Sequence, residues 1–150
     1  MRAVIQRVES ASVAIEKREH AAIGMGMLLL IGIEEADTQE DVEWLAGKIS
    51  RLRIFDDKEG VMNLPLGEVN GEVLIISQFT LHASTRKGNR PSYIRAAGPE
   101  HAIPVYEAFL KKFEKETNTK VKAGVFGAMM KISLINDGPV TIIIDTKTRE

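Results

Sequence analysis

The chain has 150 residues, enough for one compact domain with a real core, and its 44% apolar and 27% charged shares are those of an ordinary soluble globular protein. No apolar run reaches the ~18–20 residues that a membrane span needs; a net charge of −1, from 20 basic and 21 acidic residues, argues against gripping a long stretch of nucleic acid while leaving room for a local basic patch. Cysteine is absent, which excludes disulfides and thiolate chemistry, and the opening MRAVIQRVES lacks an apolar signal core, so the expected compartment is the cytoplasm.

The first third reads as strands. Residues 3–8 and 12–15 are short, β-branched and separated by polar residues, as in a hairpin or meander. Gly24-Met25-Gly26 reads as a turn, and residues 27–33 form an apolar run suited to a strand buried on both faces. The period then becomes helical at Val42, Leu45, Ala46, Ile49 and Leu52, with Thr38 and Asp41 as a capping box. Asp56 to Gly60 is a turn, and residues 73–81, VLIISQFTL, predict a second apolar strand. Residues 82–98 follow neither period and are rich in basic and small polar side chains. Pro99 suits the first turn of a helix with Ala102, Val105, Tyr106, Phe109, Leu110 and Phe113 on its core face, and Pro104 lies early enough to be tolerated. Strands over 129–135 and 140–145 are joined by Asn136-Asp137-Gly138-Pro139, and residues 147–150 are expected to fray. The order points to a single α/β domain over 1–150, with α+β as the alternative: a mixed sheet curled toward a barrel, with two main helices.

Several chemistries lack their residues. His20, His82 and His101 are scattered, no HExxH or EF-hand loop occurs, and no metal is expected. No phosphate loop or dinucleotide fingerprint is present, and no cofactor is expected. No GxSxG occurs; His82 is the one histidine placed to serve a triad, and a solvent-facing loop histidine is the simpler reading.

Two segments stand out. Ser77-Gln78-Phe79-Thr80-Leu81 ends an apolar strand in polar residues. These side chains either face water or mark a strand end whose freed backbone N–H groups bind a ligand. Asn136-Asp137-Gly138-Pro139-Val140-Thr141 carries a hairpin-like Asp-Gly followed at once by proline, which removes a donor at the start of a strand. Either a tight turn with a trans proline or a cis peptide fits there, since cis costs only ~0.5–1 kcal/mol at X-Pro.

SQFTL at 77–81 and NDGPVT at 136–141 resemble the two signature motifs of the D-aminoacyl-tRNA deacylase family. IQRV-x-x-ASV (5–13), RIF-x-D-x-x-G-x-MNL (53–64) and RPS (90–92) extend the resemblance over essentially the whole chain. It implies a homodimer with active sites at the subunit interface, acting on the acceptor end of D-aminoacyl-tRNA. Ser77, Gln78, Phe79 and Thr80 would line the pocket for the amino acid and terminal adenosine, as its catalytic residues. Gly138 and Pro139, joined by a cis bond, would enter the opposite subunit's pocket and reject L-amino acids by collision with main chain; Asn136 and Met130 would share in substrate binding. The activated ester, helped by the tRNA's 2′-hydroxyl, would need orientation and oxyanion donors, with backbone N–H groups near Phe79 and Thr80 supplying ~10²–10³ in rate. Thr80 is a nucleophile by residue type but has no evident base, so a positioning role is expected. Arg86, Lys87, Arg90 and Arg95 either contact tRNA phosphates or form a solvated loop.

One departure concerns the pocket wall: Gly127-Ala128-Met129-Met130 stands where the family often has a small-x-acid-Met pattern, so Met129 replaces the acid. The reading is a D-aminoacyl-tRNA hydrolase that also clears glycine mischarged on tRNA-Ala. An editing enzyme of altered chirality and a non-catalytic RNA-binding or scaffold protein are the alternatives.

Overall fold

The computed structural model describes residues 1–149. Its main sheet is mixed, in the order β2-β1-β3-β6-β7, with β8 pairing along β1. The strands are β1 (Arg2–Ile15), β2 (Arg18–Ile23), β3 (Gly26–Gly32), β6 (Glu72–Ser77), β7 (Val121–Ala123) and β8 (Met130–Asp145). A separate two-stranded ribbon joins β4 (Phe55–Asp56) to β5 (Met62–Leu64), and the helices are α1 (Gln39–Ser50) and α2 (Pro99–Thr117). The mixed, nearly closed sheet with two helices is the architecture that the sequence predicts.

β1 organises this sheet. Residues 2–8 pair with β3, residues 11–15 with β2, and β8 runs antiparallel along both halves. The two short strands expected over 3–8 and 12–15 are therefore one strand. Register shifts between Gln6 and Val8 and between Val8 and Ser10 separate its halves; the polar residues between the apolar stretches mark irregular pairing, not a turn.

β3 pairs with β6 in parallel and, as expected, is buried on both faces. Ile5, Met27, Leu29, Ile31, Val73 and Ile75 meet the helices in the larger core. Val8, Val13, Leu28, Leu74 and Ile76 fill a second core on the other face. Ala102, Tyr106, Phe109 and Phe113 are the buried stripe of α2, with Val105 and Leu110 half-buried beside them, and the helix passes unbroken through Pro104. The Tyr106 hydroxyl donates to the Ile75 carbonyl at 3.0 Å, tying α2 to β6; burial pushes its pKa upward. α1 has the Thr38–Asp41 capping box, with the Thr38 amide donating to Asp41 Oδ2 at 2.9 Å.

Three further expectations need correction. β6 stops at Ser77, and Phe79–His82 form a 3-10 turn where the apolar run predicts continued strand. Residues 129–135 and 140–145 are not two strands of a hairpin, because both halves pair with β1 and belong to one strand. The tail does not fray up to Arg149: Lys147 bridges Asp41 at 2.8 Å and Asp37 at 3.3 Å, and Arg149 bonds Glu40 and lies 4.7 Å over the Trp44 ring. Glu150 falls outside the described residues. No helix of the described residues is long and apolar enough to cross a membrane.

Candidate active site

A cleft of about 290 Å³ opens where β6 ends. Ser77, Gln78 and Phe79 line it together with Phe126 to Met130. Ile31, Ile33, Ile76 and Ile132 add apolar lining, as do Ala97 and Ala102. The cleft thus brings Ser77, Gln78 and Phe79 of the first motif, but not Thr80, together with Met130 and with Met129, which is 91% exposed.

The first motif works as a strand end that turns sharply. The Gln78 amide makes the last ladder bond, to the Ile31 carbonyl at 2.8 Å. The first amide satisfied inside the turn is that of Leu81, which donates to the Gln78 carbonyl at 3.3 Å. The Phe79 and Thr80 amides fall between these two and have no backbone acceptor among the described residues. These two N–H groups are thus left free beside a cleft of about 290 Å³. The Gln78 amide group donates to Thr80 Oγ1 at 2.5 Å, orienting that hydroxyl. Among the described residues no histidine or carboxylate is hydrogen-bonded to it.

Gly32 is what lets this turn press onto β3. A Cβ at Gly32 would lie 2.9 Å from Leu81 Cβ, 3.1 Å from the Gln78 carbonyl and 3.1 Å from the His82 ring. His82 is not the solvent-facing histidine of the simpler sequence reading: it is 1% exposed, and neither ring nitrogen has a hydrogen-bond partner. Burial holds its pKa below the ordinary value; the Gly32 backbone and Glu34 oppose that shift, while Arg2 and the N-terminal ammonium reinforce it. It ends the turn with its ring against Gly32 and does not line the cleft.

The second motif lies elsewhere on the protomer. Opposite β1, partners jump from Thr141 at Gln6 to Asn136 at Val8, so residues 137–140 bulge out over Arg7. The Gly138–Pro139 peptide is cis, and both residues are exposed. Asn136 Nδ2 clamps the bulge by donating to the Arg7 carbonyl at 3.2 Å and the Val140 carbonyl at 3.0 Å. Gly138 has φ of +125°, and a Cβ there would sit 3.0 Å from Arg7 Nη2. Gly138, Pro139 and Asn136 do not line the cleft of their own chain.

Arg7 is the residue that sequence reasoning missed. Its side chain is 8% exposed, pairs with Asp56 at 3.1 Å and Asp137 at 3.2 Å, and donates to the Ile54 carbonyl at 2.8 Å. The signal was an arginine inside an apolar strand, a cation that burial obliges to find partners.

Of the expected RNA contacts, Arg86, Lys87 and Arg90 are exposed on the loop beside the cleft, whereas Arg95 is paired with Glu34 at 3.0 Å.

The D-Tyr-tRNA(Tyr) deacylase family matches residues 4–145. The chain belongs to that family. A D-aminoacyl-tRNA deacylase of Flavobacterium johnsoniae is 58% identical over 150 residues, covering 100% of both chains. Its counterpart from Bacteroides thetaiotaomicron is 59% identical, again over 100% of both. Among solved structures, one described as the c-Myc DNA Unwinding Element Binding Protein is 39% identical, with a TM-score of 0.90 over 97% of this chain and 98% of that one. A probable eukaryotic D-amino acid tRNA deacylase shares the fold, with a TM-score of 0.81 at 16% identity over 95% of this chain and 97% of that one. Membership in the D-Tyr-tRNA(Tyr) deacylase family accords with the two motifs, and the cleft sits on the first of them.

Proposed function

We propose that this protein hydrolyses the ester of D-aminoacyl-tRNA in the cytoplasm, releasing the free D-amino acid and tRNA. The observation that carries the proposal is the cleft at the end of β6, walled by Ser77, Gln78 and Phe79 in a chain that belongs to a deacylase family. The aminoacyl ester is already activated, so the protein's part is to orient it and to stabilise charge on the carbonyl oxygen. The Phe79 and Thr80 amides are the donors for that oxygen, and Thr80, held by Gln78, positions the attacking water. The 2′-hydroxyl of the terminal ribose assists that water.

The second motif completes the site in a homodimer. Exposed Gly138 and Pro139 stand on the same strand as Ile135 and Ile143, which are 54% and 73% exposed, an apolar strip suited to a second copy. Pairing of two such strips would carry the Gly138–Pro139 main chain into the partner's cleft. There it would leave room for a D side chain or for glycine, including glycine mischarged on tRNA-Ala, while an L side chain would collide with it.

Matched D- and L-aminoacyl-tRNA, with glycyl-tRNA-Ala as a third substrate, test this reading. Release from the D and glycyl esters with the L ester spared is the expected pattern. Equal cleavage of both hands would end the chiral part, and no cleavage of any would end the deacylase reading. DNA binding is a second reading, favoured by the 39% identity to a protein named for binding a DNA unwinding element; the net charge of −1 speaks against a long duplex footprint.

A further inference from the structure

Residues 84–95 form an arm beside the cleft. Ser84 and Ser92 exchange main-chain hydrogen bonds of 2.8 and 2.9 Å, closing the segment between them into a loop. The arm holds Arg86, Lys87, Arg90 and Arg95 and no carboxylate, in a chain whose net charge is −1. Arg95 is turned back to Glu34, which anchors the base of the arm. Arg86, Lys87 and Arg90 pair with no carboxylate among the described residues.

Where the arm returns to the body, Tyr93 meets Phe79 edge to face, with ring centroids 5.1 Å apart and planes at 73°. Phe79 is a wall of the cleft. Phe79 is 56% exposed, Tyr93 40% and Ile94, next in the chain, 89%, so exposed apolar side chains lie between the cleft and the cations of the arm. Aromatic surface next to unpaired cations is the arrangement that holds single-stranded nucleic acid, with bases on ring faces and phosphates on the charges. Duplex has no free base faces to offer such a step.

We propose that Tyr93 and Ile94 are a stacking step for the unpaired nucleotide that precedes the terminal adenosine of the substrate, with Arg86, Lys87 and Arg90 holding the phosphates behind it. The occupant is unpaired RNA, and the proposal rests on the deacylase reading above. Specificity on this side of the cleft is for a single strand and not for a base, because every base has a face to stack.

The test is a two-by-two comparison of steady-state deacylation. D-Tyrosyl-tRNA with an intact 3′ end is set against the same tRNA carrying an abasic site just before the terminal adenosine, for the unaltered protein and for Tyr93→Ala. The abasic site should raise KM roughly tenfold for the unaltered protein, the scale of one stacked base. Tyr93→Ala should raise KM to a similar extent on the intact substrate and show no further loss on the abasic one. Tyr93→Phe should behave as the unaltered protein, since the ring and not the hydroxyl is used. Losses that add, or a KM indifferent to Tyr93→Ala, overturn the proposal, because Tyr93 then only braces Phe79 or does nothing. A change in oligomeric state on sedimentation of Tyr93→Ala or Ile94→Ser also overturns it, making the step a contact between copies. Failure of the unaltered protein to cleave the intact ester is the separate result that removes the deacylase reading and this proposal together.

Discussion

The Arg7 guanidinium donates to the Asp137 carbonyl at 3.2 Å, from directly beneath the bulge that carries Gly138 and Pro139. Its other contacts, with the Ile54 carbonyl and with Asp56, tie that bulge to the ribbon segment 54–56. One buried cation thus joins β1, the ribbon and the second motif. Arg7→Ala removes it and leaves the Ile54 carbonyl and two carboxylates unpartnered. Because both carboxylates are about half exposed and regain water, the cost should be about 2–3 kcal/mol, below that of a fully buried pair. Thermal unfolding should fall by roughly 5–10 °C. Deacylation should fall further than the unfolded fraction explains; full activity per folded molecule would show that Arg7 supports stability alone.

Thr80 has its hydroxyl bonded to the Gln78 amide and to no general base. Thr80→Ser and Thr80→Val are therefore expected to keep measurable deacylation, within roughly the 10²–10³ that one positioning or oxyanion donor supplies. Complete loss in Thr80→Val, with an unchanged circular dichroism spectrum, would restore the nucleophile.

His82 makes stability depend on pH. Its folded pKa is lowered, first by burial, so the unfolded chain takes up the proton first as pH falls. Stability from this group is full above the ordinary histidine value of about 6.5 and declines below it. Urea midpoints measured between pH 7.5 and about 5 should fall for the unaltered protein and fall less for His82→Leu. Identical slopes would mean that His82 is not the group responsible.

Arg86 and Lys87 are exposed and without carboxylate partners among the described residues. If each meets a phosphate, Arg86→Ala or Lys87→Ala should lower the slope of log affinity for tRNA against log salt by about 0.7–1. Arg95→Ala should lower it less, because Glu34 already neutralises that cation. An unchanged slope in all three would return the arm to a solvated loop.

The local elements were legible wherever one face of the chain repeats. The α1 and α2 stripes and the doubly buried β3 follow from spacing, since a helix or strand must hide the side chains that recur on its inner face. Residues 78–81 depart from the expected strand because apolarity continues past Ser77 while backbone pairing does not. The ladder ends when the Gln78 amide spends the last carbonyl that β3 offers, and side-chain polarity carries no record of that. The bulge differs from the expected joint between two separate strands for a related reason. Asp-Gly-Pro announces a reversal, but both flanks find the same edge of β1, and the long strand absorbs the irregularity.

Taken alone, the order of amino acids determined the class of fold, the two helices and the membership that its paired motifs declare, because periodicity and short motifs are written in adjacent residues. Tertiary structure alone decided that Ser77 to Phe79 share a cleft with Met130, that His82 is buried against Gly32, and that Arg7 underlies Gly138. Those relations join residues dozens to more than a hundred positions apart. They depend on which strands pair and in what register, a choice made by the packing of the whole domain and by no local stretch of it.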